Sequence, residues 1–257
     1  MSSHAEDLTV ALRLADAADA ITTARFRAAD LVVDRKPDRS PVTDADTAVE
    51  DAMRAVLAEV LPDDEILGEE RGGTLGSGRT WVVDPIDGTK NFLRGGPAWA
   101  TLIALVVEGS PVVGVVSAPA LGRRWWAAVG QGAFCSFGGA SRRLRVSGVR
   151  SLSDAYLSTT DLNTWGEARA RYLELVSACW ESRAFGDFWH HCLVAEGVLD
   201  LAAEPAAYVW DLAAVQVLVT EAGGTFTDLS GRPGFEHGSA LASNGLVHEA
   251  ALGILKG

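Results

Sequence analysis

The 257-residue sequence predicts a mixed α and β fold made of two joined halves, and three observations carry that reading. Two stretches near the N-terminus repeat apolar residues at helical spacing. The span 98–137 strings short β-rich runs between Gly and Pro, as an antiparallel meander does. From residue 155 onward strands and helices alternate, the pattern of an α/β layered half. The length allows one compact unit of two intimate halves, here residues 1–148 and 149–257.

In chain order, residues 5–29 read as an amphipathic helix with Leu8, Leu12, Ala15, Ala18 and Thr22 along one stripe. Residues 36–46 contain Pro37 and Pro41, which predict a loop without regular structure. A second helix is expected over 43–61, with Ala45, Val49, Ala52, Val56 and Val60 as its apolar face and Pro62 as its stop. A short strand at 65–68 ends in Gly68, Glu69 and Glu70, and the Gly-rich segment 71–79 that follows carries no dinucleotide fingerprint. That segment is expected to be a mobile loop closing over a site. The meander strands are placed at 99–107, 111–117, 124–129 and 133–137, with Trp125 and Trp126 in the core or an interface. After a linker at 147–153 come a strand (155–158), a helix (166–179), a strand (181–184), a helix (187–196), a strand (199–203) and a helix (210–222). Strands at 225–228 and 240–242 and a terminal helix after Asn244 complete the chain.

Composition excludes several classes of function. With 48% hydrophobic and 22% charged residues the chain is globular rather than disordered. A net charge of −12 argues against nucleic acid or an anionic membrane as partner, because both reward basic surfaces. The first residues lack a basic region followed by an apolar core, and no apolar run reaches the roughly 18 to 20 residues of a membrane span, so the cytoplasm is the expected compartment. Cys135, Cys179 and Cys192 are odd in number and set among apolar residues, as reduced core thiols are.

The chemistry is expected in the stretch Trp81 to Phe92. Its first residues suit a buried strand; then Asp84 and Asp87 straddle Pro85, which bars the preceding residue from helix and lets both acids turn to one point. Gly88 permits close approach of backbone to a ligand, and N–H groups at the following turn can hold an anion. Carboxylates beside an anion site repel it unless divalent cations stand between them, so hard metals bridging protein and phosphate are implied. The competing reading is a polar loop whose acids cap helices. Asp44 and Asp46 in a helix first turn, the Glu69/Glu70 pair after a strand, and Asp211 opening an apolar helix each have an equally plain structural reading when taken alone.

Taken together, the segments ILGEE, WVVDPIDGTKNF and WDLAAVQVLVTEAGG, in that order, resemble the inositol monophosphatase family of Mg-dependent, lithium-sensitive sugar phosphatases. The resemblance spans the chain and implies a layered αβαβα fold, Mg²⁺ as cofactor at two or three ions per site, and a homodimer. Carried over by position, it implies Glu69, Asp84, the Ile86 carbonyl, Asp87 and Asp211 as metal ligands, with Lys36, Asp46 and Glu70 around a further metal or its waters. Thr89 with Asp46 matches the pair that positions and deprotonates the attacking water, with Glu69 beside it as a third catalytic group. Asp87, Gly88, Thr89, Lys90 and Asp211 match the phosphate-facing set, Glu204 matches a position that contacts substrate hydroxyls, and Arg183 matches one at the substrate mouth or the dimer interface.

The substrate is expected to be a small phosphorylated metabolite. After Gly186, inositol-type members carry a small residue, whereas this chain has Asp187, Phe188 and Trp189, which suit a cationic, planar substrate. With APALGRRWWAA and AEPAAYVWDLAA, that departure resembles the actinobacterial histidinol-phosphate phosphatase branch of the family and implies hydrolysis of histidinol phosphate. Alternatives are an inositol or broad sugar-phosphate phosphatase, and a catalytically silent binding relative, which the intact acidic set disfavours. Asp187 also has a reading as a helix cap. His190 and His191 are adjacent on a helix and point about 100° apart, so they are expected in core packing or at the surface rather than in a shared-ion site. His237 and His248 receive no role.

Overall fold

The computed structural model describes residues 4–37 and 40–257. The chain begins with helix α1 (Ala5–Arg25), a small hairpin of β1 (Val33–Arg35) and β2 (Pro41–Thr43), and helix α2 (Asp44–Val60). There follow β3 (Glu65–Gly68), β4 (Arg79–Asp87), a short helix α3 (Thr89–Leu93), β5 (Ala100–Val107), β6 (Ser110–Ala118), β7 (Arg123–Ala128), β8 (Gly132–Phe137) and β9 (Ala140–Arg143). The remainder runs β10 (Tyr156–Ser158), α4 (Arg169–Ala178), β11 (Glu181–Arg183), α5 (Asp187–Ala195), β12 (Leu201–Glu204), α6 (Val209–Glu221), β13 (Thr225–Thr227), β14 (Ala240–Ser243) and α7 (His248–Lys256).

Strands β3 to β9 form a seven-stranded sheet in sequence order, antiparallel except for the β3–β4 pair. The second sheet has five strands in the order β11-β10-β12-β14-β13. Strand parity decides what each face carries. On β4, Trp81 and Val83 pack with Ala11, Leu14, Val49 and Met53 of α1 and α2. The intervening Val82 packs on the opposite face with Leu212, Val215 and Leu218 of α6 and Phe188 of α5. That same apolar cluster reaches Ala202, Ala240 and Ala242 of the second sheet, while Leu157, Leu201 and Leu241 on its far face pack with Tyr172 of α4 and Leu252 of α7. The resulting layers are helix, sheet, helix, sheet, helix, which is the expected αβαβα arrangement. Helix α6 approaches the first sheet so closely that a Cβ on Gly114 would collide with the Ala214 carbonyl oxygen. Among the described residues no helix is long and apolar enough to cross a membrane.

Several boundaries and faces differ from expectation. Helix α1 ends at Arg25, four residues early, because Phe26 is extended and Arg27 takes a left-handed φ of 62°. The buried face of α2 is Ala45, Val49, Met53 and Leu57 rather than the stripe through Ala52, Val56 and Val60. Regular structure does occur within 36–46: Pro41 opens β2 opposite Arg35, at a strand start where its missing N–H is tolerated. Residues 38 and 39 of that segment lie outside the described residues. Strand β9 was not foreseen; all its residues are exposed, so it carries no alternating pattern. The segment 71–79 does not line the main cleft: Leu75 packs on the core, and Gly73 lies where a Cβ would collide with the Ile66 carbonyl. All three cysteines are free.

Candidate active site

Parity on β4 places Asp84 on the face of Val82, towards α6. Beyond it the ladder with β5 shifts register between Asp84 and Asp87, which re-aims the second acid. Asp211 stands in the first turn of α6, and its Oδ2 accepts the Tyr208 N–H at 2.8 Å. Carboxylate oxygens of Asp84, Asp87 and Asp211 then lie within 4.8 Å of one another. Glu69, just past β3, lines the same cleft of about 440 Å³, as do Ile86, Gly88, Thr89, Lys90 and Asp187.

Such proximity is costly without a cation. Burial raises the Asp84 carboxyl well above its usual value, and the charges of Glu69, Asp87 and Asp211 raise it further. Burial likewise raises Asp87, with Asp187 and Asp211 adding to it. Asp211 is pushed up to about 7 by burial, against the hydrogen bond from Tyr208. A closely spaced, all-oxygen donor set that resists ionisation fits a hard divalent ion such as Mg²⁺.

Cations and helix ends organise the flank. Lys36 Nζ donates to Glu69 Oε1 at 2.6 Å and Glu70 Oε1 at 2.7 Å. Burial alone lowers an ammonium, but these two hydrogen bonds hold Lys36 above its ordinary value. Asp46 closes a capping box on α2: its Oδ2 accepts from Thr43 N–H at 2.8 Å and from Thr43 Oγ1. Its Oδ1 is buried without a partner among the described residues, and burial pushes the group to about 7 against the Thr43 hydrogen bonds. Thr89 Oγ1 donates to the Ile86 carbonyl at 3.0 Å, and no hydrogen bond among the described residues joins Thr89 to Asp46. Gly88, at a φ of 82°, takes the left-handed turn that starts α3.

Glu50 was missed by the sequence reading. Fully buried on α2, it accepts the N–H groups of Glu70 at 2.7 Å and Arg71 at 3.1 Å, and pairs with Arg54 at 2.7 Å. Gly68 makes room for it, since a Cβ there would overlap the Glu50 carboxylate. A charged residue between Val49 and Met53, on the buried side of the helix, was the available signal. Thr160 and Asp161, which also line the cleft, were missed as well; they lie just past Thr159, the first residue after β10.

The C-terminal half supplies the other wall. Asp187 sits at the start of α5 with a left-handed φ of 47°, a strained conformation for a residue other than glycine. The cap position of α5 is Gly186 and Asp187 is the first helical residue, so it is not the cap expected of it; its side chain instead accepts from Asn91 Nδ2 at 3.3 Å. Burial and the charge of Glu204 push Asp187 up to about 6. Phe188 and Trp189 do not face the cleft as expected: Phe188 packs edge-on to Trp125 and Trp189 on Phe185. The aromatic lining comes from Tyr208 and Trp210, stacked at 4.9 Å. Arg183 is exposed on β11, bound to Glu181, and is not brought to the cleft. Glu204, at the end of β12, lines a smaller pocket of about 180 Å³ that shares Asp87, Thr160, Asp187 and Asp211 with the main cleft.

The two adjacent histidines correct the sequence argument. Both are buried, as expected of core packing, yet their Nε2 atoms converge on Glu204 Oε2 at 3.3 and 3.4 Å. The offset between neighbouring helix positions is overcome by side-chain rotation, which leaves the rings 4.2 Å apart and nearly perpendicular at 77°.

Comparison with known proteins places this geometry in context. The profile of the inositol monophosphatase family matches residues 4–256. A histidinol-phosphatase of Mycobacterium tuberculosis is 56% identical over 254 residues, covering 97% of each chain. One from Streptomyces coelicolor is 52% identical over 262 residues, covering 99% of this chain and 98% of the relative. Among solved structures, an inositol monophosphatase from Zymomonas mobilis superposes with a TM-score of 0.87 at 34% identity, covering 100% of both chains.

Proposed function

The chain belongs to the inositol monophosphatase family, and on that premise we propose that it is a Mg²⁺-dependent phosphomonoesterase that converts L-histidinol phosphate to L-histidinol and phosphate. The observation that carries the phosphatase reading is the meeting of Asp84, Asp87 and Asp211 within 4.8 Å at the cleft. Asp84, Asp87, Asp211, Glu69 and the Ile86 carbonyl would hold the ions. When bound, Mg²⁺ supplies the positive charge that offsets the phosphate and lowers the pKa of a coordinated water.

The protein's own groups do the rest. The N–H groups of Gly88 and Thr89 hold phosphate oxygens, as first-turn donors without an intrahelical partner can. Lys90, exposed at the cleft edge, adds attraction for the incoming dianion. Thr89 and Asp46 position and deprotonate the attacking water, with Glu69 beside them. The unpartnered Oδ1 of Asp46 is the atom free to take the water's proton. Lys36 and Glu50 keep Glu69 and Glu70 in place. No covalent intermediate with the protein is needed.

Selection of the ester falls to the far end of the substrate. Asp187 and Glu204 offer two carboxylates to a cationic leaving group, which a neutral polyol would leave desolvated and unpaired. The test is a substrate panel with Mg²⁺: histidinol phosphate should be hydrolysed with higher kcat/KM than inositol 1-phosphate or glycerol 2-phosphate. Preference for inositol 1-phosphate would move the assignment to the sugar-phosphate reading, and no phosphate release from any ester would overturn the enzyme. The working form is proposed to be a cytoplasmic homodimer, with Arg183 on the exposed β11 at its interface, which sedimentation of wild type and Arg183→Glu would test.

A further inference from the structure

Glu204 has a part in selecting the ester, but the two buried rings that meet it, His190 and His191, have as yet no role. The trio sits where the small pocket ends, with His191 and Glu204 both lining it. Resting on the histidinol-phosphate reading, we propose that His190 and His191 are positioning residues that hold Glu204 as a charged acceptor facing the cationic end of the substrate.

Three observations carry this. Glu204 is engaged on both oxygens: Thr160 Oγ1 donates to Oε1, and both imidazole Nε2 atoms reach Oε2 at 3.3 and 3.4 Å. Thr160 Oγ1 in turn accepts the Asp187 N–H at 2.9 Å, so the same network sets the backbone of the second selecting carboxylate. The carboxylate is therefore fixed in orientation before a substrate arrives.

The third observation is the state of the rings. Nδ1 of both histidines is buried without a partner among the described residues. An unpartnered lone pair there is better tolerated than an unpartnered N–H, so each ring carries its proton on Nε2 and donates to Glu204. The same fact argues against a transition-metal site built from this trio, although the donors are close enough for one. A metal-bound histidine would carry its proton on Nδ1 and donate it to an acceptor, and neither ring has one. Burial also pushes His191 down to about 4, so it is neutral at pH 7. Burial works to raise Glu204, yet the two imidazole donors keep it below the usual carboxylate range.

An imidazole donor that is neutral, as His191 is, has a use that Arg or Lys would lack. A basic side chain in either position would hold Glu204 as firmly but would cancel its charge and repel the substrate's ammonium or imidazolium. Two imidazole N–H groups fix the carboxylate, and the neutral ring of His191 leaves its charge to the ligand.

Four variants test this against the wild type, each assayed on histidinol phosphate and on glycerol 2-phosphate. His190→Leu and His191→Leu remove the donor; His190→Gln and His191→Gln keep an N–H near the Nε2 position. The Leu variants should raise KM for histidinol phosphate roughly tenfold, in line with loss of one hydrogen bond to a charged group, with kcat and the glycerol 2-phosphate reaction changed less than about threefold on the same scale. The Gln variants should recover most of the selectivity. If the Leu variants do not fold, the Gln variants decide: Gln forms that fold and lose selectivity overturn the proposal, and Gln forms that keep it support the proposal. Leu variants with unchanged substrate preference overturn it, as does Zn²⁺ binding to metal-free wild type that both Gln changes abolish. A wild type that prefers inositol 1-phosphate refutes the substrate reading instead, and is seen before any variant is made.

Discussion

The backbone N–H of Phe188 donates to the Asp87 carboxylate at 2.5 Å, tying the first turn of α5 to the end of β4 across 101 residues of sequence. An amide oxygen can accept the same bond, so Asp87→Asn should keep this link while removing a charge. Turnover with Mg²⁺ is expected to fall at least a hundredfold, about 2.7 kcal/mol of transition-state stabilisation. The melting temperature of the metal-free protein should stay level or rise, because a repulsive acid has been removed. Near-normal activity at saturating Mg²⁺ would exclude Asp87 as a ligand.

Metal-free stability should depend on pH with a definite sign. Asp46 and Asp211 titrate near 7 and Asp187 near 6 in the fold, against an ordinary value of 3.8. The folded state therefore holds protons that the unfolded chain has released, and this contribution, full below about 4, is lost as pH rises towards 7. A tenfold difference in the acidity of one carboxyl between fold and unfolded chain is worth about 1.4 kcal/mol. Melts in EDTA between pH 5 and 8 should show a falling midpoint, and added Mg²⁺ should restore most at the higher pH. A midpoint in EDTA that rises from pH 5 to 8 would contradict the raised values.

Asp187→Ser should lower kcat/KM for histidinol phosphate by roughly ten- to a hundredfold, the loss of a charge-assisted contact worth about 1 to 3 kcal/mol. Hydrolysis of glycerol 2-phosphate should change much less. Because Asp187 holds a left-handed φ of 47°, Asp187→Gly should be more stable than Asp187→Ser yet equally unselective. Equal losses on both esters would assign Asp187 to the common chemistry rather than to selection.

Glu50→Ala removes the buried acceptor of the Glu70 and Arg71 N–H groups and leaves Arg54 only the Gly72 carbonyl among these partners. A destabilisation of about 2 kcal/mol is expected from leaving those N–H groups without their acceptor. The Mg²⁺ concentration for half-maximal activity should also rise, since Glu69 and Glu70 lose their anchor. Denaturant melts and a Mg²⁺ titration of activity check the two effects separately.

The site was legible where punctuation and chemistry coincide. Asp84, Pro85, Asp87 and Gly88 interrupt an apolar strand abruptly, and strand parity then delivers Asp84 to the side of α6. Glu50 was hidden because Glu50 and Arg54, four apart on a helix, look like an ordinary solvent-exposed pair; only the burial of Glu50 distinguishes them. The histidines are in the core as expected, but their convergence on Glu204 was missed because spacing gives the direction of Cα–Cβ bonds, not the reach of rings beyond them. Phe188 and Trp189 were assigned to the ligand by adjacency to Asp187, whereas the helix they occupy turns them to the core. β9 had no pattern to read, being exposed throughout.

The tight seating of α6 on Gly114 bears on how the protein is made. The first sheet is complete once residue 143 has left the ribosome, but α6, which covers Leu102, Val116 and Trp125, ends only at Glu221. At about 5–20 residues per second the nascent sheet stands with one apolar face bare for several seconds. Its folding in the cell therefore depends on protection of that face until the second half emerges, and a ribosome stalled after β9 would present a sticky surface to every neighbouring chain.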